Sequence, residues 1–290
     1  MYRNMVNTLA AWSEDPEKKM LLLKGPLHVG KSWCVMDFAE AFYKKTLHIE
    51  FDRYAVLREL FMTAHTPEFI EEQLELLAGV SFRDYSANEL LLVFDEVQVE
   101  EDLFAGVMQY IRQRRGRSVI LIASWMGSLP AENLVAEELQ VEYMYPMSFE
   151  EFLIANKAQE LCKIIEQEKV DGLKEDIRPV ILEYLKYFYI TGGMPEVVQS
   201  FVKNRSMNQV DIIGHRNLQE MRDYVIKHAP KQLVKKILQV WDSVPAQLTK
   251  ENKKFMYGAV DAKARAREYV AAVDWLIEAG YVRKVQKVTQ

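Results

Sequence analysis

The chain has 290 residues, 49% hydrophobic and 27% charged, with a net charge of −5. That length suits about two domains, and the composition excludes disordered, collagen-like and coiled-coil chains. Two cysteines and apolar runs no longer than Met20–Leu23, Leu90–Phe94 and Val119–Ala123 exclude a disulfide scaffold and a spanning helix, and predict a reduced, cytoplasmic protein with no membrane partner.

Residues 1–20 carry Arg3, Glu14, Asp15, Glu17, Lys18 and Lys19 and no apolar h-region, so no secretory signal is expected. Lys19–Lys24 is an apolar run stopping at Gly25-Pro26, which predicts a buried strand entering a turn. Lys31–Tyr43 reads as a helix with a broad buried face, and Thr46–Phe51 as a second strand. Helical spacing covers 54–78. Glu89–Phe94 and Ser118–Ala123 are unbroken apolar strands of the kind buried on both faces of a parallel sheet, with a helix over Leu103–Arg112 between them. Val141–Tyr145 reads as a further strand.

Strands alternating with helices predict an α/β fold with a mostly parallel sheet flanked by helices on both faces, over residues 1–150. Beyond that point the pattern is helical: Phe149–Ile154, Glu160–Lys169, Asp176–Ile190, Pro195–Lys203 and Ile212–Ile226. Residues 231–290 give three shorter helices, Gln232–Ser243, Pro245–Asn252 and Ala264–Ala279, then a strand, Tyr281–Val288; this is the outline of a winged helix. The same 60 residues hold twelve Lys or Arg against six Asp or Glu, a net of +6 that leaves −11 on the remainder. A basic segment on an acidic body suits a polyanion such as duplex DNA, or solvated helix faces.

Gly25-Pro26-Leu27-His28-Val29-Gly30-Lys31-Ser32 is a complete G-x-x-x-x-G-K-[ST]. The two glycines let the loop wrap so that backbone N–H groups face one anion, and the helix beginning near Lys31 adds its positive end. Lys31 is expected to reach the β- and γ-phosphates and Ser32 to ligate Mg²⁺. His28 faces either the γ-phosphate or solvent. Asp95-Glu96 closes the third strand. In a nucleoside triphosphatase Asp95 holds Mg²⁺ and Glu96 orients or deprotonates the attacking water; the structural alternative is a capped turn. Gln98 is placed to reach the same site. Ser124, after the strand ending at Ala123, is either a γ-phosphate sensor or a turn cap. Arg112, Arg114, Arg115 and Arg117 offer an arginine finger towards a neighbouring subunit of an oligomer, or a solvated loop. Cys34 lies in the first turn of the loop helix, where a thiolate is stabilised, but it also suits a small buried position. The five histidines show no metal-ligand spacing.

The segments LLLKGPLHVGKS (21–32), LLLVFDEVQ (90–98), VILIASWMG (119–127), MYPMSFEEFL (144–153), YITGGMPEVV (189–198) and VPAQLTKENKKF (244–255) resemble the bacterial and archaeal AAA-type ATPases whose full-length members carry a C-terminal, nuclease-like domain of unknown function. The resemblance extends through ARAREY (264–269) and WLIEAGYVRKV (275–285). It implies a P-loop ATPase core at 1–150, a helical lid at 151–230 and a winged-helix-like module at 231–290, with the main body of a further domain expected from about Gln290. It implies Lys31, Ser124 and Glu96 as catalytic and Ser32 and Asp95 as Mg²⁺ ligands. Nucleotide is expected on Gly25 through Ser32, with Trp33 beside the loop and Pro195, in a Gly-x-Pro motif, near the adenine. The chain departs from the family at Leu27 and His28, where Arg and Gln are usual, and at Ala123, where Gly is usual.

The function these residues predict is ATP binding and Mg²⁺-dependent hydrolysis to ADP that moves the lid or a partner. Residues 231–290 would contact duplex DNA or a protein. The alternative is an ATP-gated switch or binding module with negligible turnover. A P-loop kinase is disfavoured by Glu96 beside Asp95.

Overall fold

The computed structural model describes residues 1–63, 65–114, 116–124, 138–167, 177–251, 254–261 and 265–285. By contacts the chain divides into Met1–Arg205 and Ser206–Gln290.

The first unit is built on five parallel strands: β1 (Met20–Lys24), β2 (Lys45–Glu50), β3 (Leu90–Asp95), β4 (Ser118–Ala123) and β5 (Leu139–Tyr143). Their order is β2-β3-β4-β1-β5, so β4 stands between the loop-bearing strand and the strand that ends in the acidic pair. β3 and β4 are buried along their whole length, as their unbroken apolar runs require. The two-residue side-chain period sorts them between two cores. Leu22, Leu92, Phe94, Val119 and Leu121 face one, closed by α3 (Ala55–Met62), α4 (Pro67–Ala78) and α5 (Glu101–Gln113). Leu21, Leu23, Leu91, Val93, Ile120 and Ile122 face the other, closed by α1 (Met5–Glu14) and α2 (Lys31–Phe42).

One element was not predicted, and two expectations are corrected here. Met5–Glu14 is a helix ahead of the first strand, anchored by the buried Leu9 and Trp12, whose Nε1–H donates to Lys19 O at 2.7 Å. The helical stretch 54–78 is two helices, because Thr66 caps α4 from outside, accepting from Phe69 N, and Pro67 occupies its first position. The fifth strand starts two residues earlier than Val141, paired with β1 from Met20↔Leu139.

Four helices complete the first unit: α6 (Phe149–Ala155), α7 (Gln159–Gln167), α8 (Arg178–Thr191) and α9 (Pro195–Asn204). α6 opens with a capping box in which Ser148 and Glu151 satisfy each other's backbone N–H groups. Gly193, at φ +67°, joins α8 to α9; a Cβ there would lie 2.6 Å from Met147 O, and Met147 N donates to Gly193 O at 2.7 Å.

The second unit holds α10 (Met207–His228), α11 (Val234–Leu248) and α12 (Ala266–Glu278). Tyr269 donates to Gln239 Oε1 at 3.1 Å, and Trp241 and Trp275 both pack on Tyr281. The two predicted helices Gln232–Ser243 and Pro245–Asn252 are one helix with Pro245 inside it. The turn beyond the proline survives because the buried Gln247 side chain donates to Ser243 Oγ and accepts from Met256 N. Residues 281–285 are not strand, so the wing of the winged-helix outline is not found among the described residues. The predicted ends Lys169, Asp176, Asn252, Ala264 and Val288 lie outside the described residues, as do Arg115, Lys253, Lys263 and Lys287. The division at Arg205 runs through the stretch 151–230, so α10 falls in the second unit. Among the described residues no helix is long and apolar enough to cross a membrane.

Candidate functional site

In a parallel sheet all the carboxyl ends meet along one edge, and this is where open α/β sheets bind ligands. Register brings Lys24 beside Ala123 and Asp95 beside Ile122. The residues just past β1, β3 and β4 (Gly25, Glu96 and Ser124) therefore converge. Gly25 is there because nothing larger fits: its N–H bonds Ala123 O, and a Cβ would lie 2.1 Å from Met144 O. His28 and Gly30 take left-handed backbone at φ +63° and +85°, and Gly30 caps α2.

Lys31 is buried at this edge. Its ammonium donates to Gly25 O (2.9 Å), Pro26 O (3.0 Å) and Ser124 Oγ (3.1 Å). Burial lowers its pKa, while Glu96 and then Asp95 pull it back up. Glu96 has φ +57°, rare for a residue with a side chain. The cause is local: Glu96 is the first residue past β3, and Val97 N still donates to Ile122 O, so the chain turns sharply at Glu96. The turn brings its carboxylate to Ser124, which donates to Oε1, and to Gln98, which donates to Oε2. Burial raises the Glu96 pKa, opposed by Lys31 and by the Ser124 hydrogen bond.

Asp95 is buried, and its two oxygens differ. Oδ2 meets His48 Nε2 at 3.1 Å; Oδ1 is buried with no hydrogen-bond partner. A buried carboxylate oxygen left unpaired beside a lysine is a donor suited to a hard divalent cation such as Mg²⁺. With the partly buried Ser32 one residue past Lys31, the donor set fits that ion.

A cleft of about 240 Å³ opens beside the loop between Gly30, Trp33 and Pro195, with Glu196 and Gln199 of α9 on its wall. Pro195 would lie 3.6 Å from a Cβ at Gly30. Trp33 is half exposed there.

The structure thus gathers Gly25, Gly30, Lys31, Asp95, Glu96, Gln98, Ser124 and Pro195. It does not bring the arginine cluster: Arg112 pairs with Glu138, Arg114 with Glu68 and Glu71, and Arg117 with Glu71. Cys34 is fully buried and its thiol is pushed up to about 11 by burial, so the thiolate expectation fails against the small-core-residue one. Two residues not predicted stand at the site, His48 and Arg3. Neither belongs to a periodic pattern or motif. The only signal for His48 was its place on β2, two residues from the carboxyl end.

Residues 17–153 match the model of a family described as an AAA domain, and residues 182–290 match a domain of unknown function, DUF8612. No curated protein matches the chain. Among solved structures it is similar to the Walker-type ATPase paby2304 of Pyrococcus abyssi, at 14% identity and TM-score 0.51 over 96% of this chain and 89% of that one. It is also similar to Cdc6p of Pyrobaculum aerophilum (12% identity, TM-score 0.41, 95% and 84% covered) and to Drosophila ORC bound to DNA (15%, 0.40, 93% and 84%). At 14% identity the first likeness is one of fold.

Proposed function

We propose, from the premise that residues 17–153 are an AAA-type P-loop domain, that the chain binds ATP with Mg²⁺ and hydrolyses it to ADP and phosphate. The observation that carries this reading is the single hydrogen-bonded cluster of Lys31, Ser124 and Glu96 beside the unpaired Asp95 oxygen. Lys31 exchanges the Gly25 and Pro26 carbonyls for β- and γ-phosphate oxygens, a better partner for a buried ammonium. Backbone N–H groups of 27–32 would face the same phosphates. Ser32 and Asp95 would hold Mg²⁺, which neutralises charge on the β- and γ-phosphates. Glu96 accepts the proton of the attacking water, whose oxygen bonds the γ-phosphorus as the bond to the β–γ bridging oxygen breaks. Ser124 orients Glu96 or the γ-phosphate. The base lies in the cleft beside Trp33 and Pro195, so occupancy bears on the start of α9.

Lys31→Ala tests the reading. ATP with Mg²⁺ at 100 times Kd stabilises the parent by about 2.7 kcal/mol, a melting shift of roughly 5–10 °C for a unit of this size. The variant loses the shift. An equal shift in both proteins overturns the assignment.

A switch with negligible turnover is the second reading, favoured by one observation: Glu96 already accepts hydrogen bonds from Ser124 and Gln98. Steady-state phosphate release separates the two. For residues 231–290 we propose contact with duplex DNA, supported by the net +6 charge and by exposed cations at Lys231, Lys235, Lys250, Arg265, Arg267 and Lys284. A protein partner is the rival.

A further inference from the structure

We infer that Arg3 is a positioning residue for the phosphate loop, fixing the Val29–Gly30 peptide so that its carbonyl faces away from the bound anion and the Gly30 N–H faces towards it. The inference rests on the nucleotide-site reading of residues 25–32.

Arg3 is 4% exposed and uses all three guanidinium nitrogens on fixed acceptors. Nη1 donates to Val29 O and Nη2 to Tyr145 O, both at 2.5 Å, and Nε to Glu151 Oε1 at 3.1 Å. Glu151 is itself 5% exposed and serves two purposes. Its Oε2 accepts from Ser148 N at 2.9 Å, completing the capping box of α6; its Oε1 takes Arg3 and also Asn4 N at 2.7 Å. The seat of the guanidinium is thus built by the start of α6, 148 residues away in sequence from the arginine it holds.

The acceptor matters more than the count of bonds. In a trans peptide the C=O and the following N–H point in opposite directions. A guanidinium bound to Val29 O therefore directs the Gly30 N–H to the other side of that peptide. His28, just before this peptide, is left-handed, a conformation that persists for a residue with a side chain only where its surroundings over-determine it, while Gly30 takes it freely. An anion nest needs successive N–H groups on one side; a flipped 29–30 peptide would present a carbonyl oxygen to the phosphates instead. Such a flip here also strips a buried guanidinium of a charge-assisted hydrogen bond. Arg3 so holds the loop in its anion-accepting form before any ligand arrives.

The test is isothermal titration of ATP and of inorganic tripolyphosphate, both in EDTA, into the parent, Arg3→Gln, Glu151→Gln and Lys31→Ala. Tripolyphosphate has no base, so it reads the loop alone. The expected result is that Arg3→Gln weakens both ligands by the same factor, about 10- to 100-fold. Glu151→Gln keeps one acceptor for the Ser148 cap but turns an NH2 towards Arg3 and Asn4 N and removes the charge beneath the guanidinium; it weakens both ligands by a common factor, and it decides the matter if Arg3→Gln does not fold. Unchanged affinities in the Arg3 and Glu151 variants overturn the inference, as does loss confined to ATP, which would put Arg3 on the base. A parent that binds neither ligand, in EDTA or with Mg²⁺ added, sinks the nucleotide reading itself. A parent whose binding is lost in Lys31→Ala but retained in Arg3→Gln sinks the inference alone.

Discussion

Burial acts on Glu96 and Cys34 in the same direction, raising each pKa. The consequences differ because their partners differ. Glu96 has Lys31, Ser124 and Gln98 within reach, so its carboxylate form has support. Glu96→Gln keeps the shape and can still accept from Ser124, but cannot take a proton. Hydrolysis should fall about 10²–10⁴-fold with ATP affinity unchanged within a few fold. Parental turnover in this variant would remove Glu96 as the base. For Cys34 burial outweighs the opposing pull of Arg3, and its thiol at about 11 is close to inert at pH 8, with on the order of one molecule in a thousand as thiolate. A thiol reagent at pH 8 should therefore modify one cysteine in the native chain, the half-buried Cys162, and both after unfolding. The sign for stability follows. A folded-state pKa above the unfolded one favours folding fully below about pH 8.5, and that contribution is lost as pH rises towards 11, by up to about 1.4 kcal/mol per unit. Cys34→Ala should flatten the alkaline fall in melting temperature. Two native cysteines reacting at equal rates, or an unaltered alkaline fall, would contradict the burial.

At the scale of elements, Gly106 sets how closely α5 approaches α3. A Cβ on Gly106 would lie 1.9 Å from Phe61 O, and a backbone carbonyl cannot rotate aside. Two effects of Gly106→Ala compete. Helix propensity favours alanine by about 1 kcal/mol, while overpacking costs about 1–3 kcal/mol. The rigid acceptor puts the cost at its upper end, so the variant should lose about 1–2 kcal/mol and melt several degrees lower; a higher melting temperature would refute the close approach. This contact shows where the sequence stops being readable. The apolar runs of β1, β3 and β4 announce buried parallel strands because β3 and β4 are buried at every position and β1 at its three central ones, and the loop motif and acidic pair sit at their ends for a geometric reason the strands impose. Thr66-Pro67 was a readable helix start between α3 and α4, a cap followed by a first-turn proline. Arg3, His48 and Gly106 were not readable. Each owes its place to partners far along the chain (Val29, Tyr145 and Glu151 for Arg3, Asp95 for His48, Phe61 for Gly106), and isolated long-range contacts leave no period or local spacing. Pro245 misled for the opposite reason: its local helix-breaking signal is overridden by the side-chain bonds of Gln247.

Over the whole molecule, charge is divided unevenly, −11 on residues 1–230 and +6 on residues 231–290. Cations at Lys231, Lys235, Lys250, Lys254, Arg265, Arg267, Arg283 and Lys284 are exposed. They lie on or beside α11 and α12 and do not depend on a wing for their exposure, so the absence of strand at 281–285 leaves the electrostatic argument intact. Exposed cations give sequence-independent attraction to phosphate with release of condensed counterions. About three to five of them engaged at once give a log–log salt slope of roughly −3 to −4.5. The acidic remainder repels the duplex and so favours orientations that present the basic segment. Fluorescence anisotropy with a duplex of about 20 base pairs, titrated at low and then rising salt, reads both the affinity and the slope. Lys250→Glu/Lys254→Glu reverses two of the exposed charges. It should weaken binding at least about tenfold and make the salt slope shallower by about 2, one unit for each phosphate contact removed. No binding by the parent at low salt, or the same affinity and slope in both proteins, would retire DNA as the partner and leave residues 231–290 as a surface for another protein.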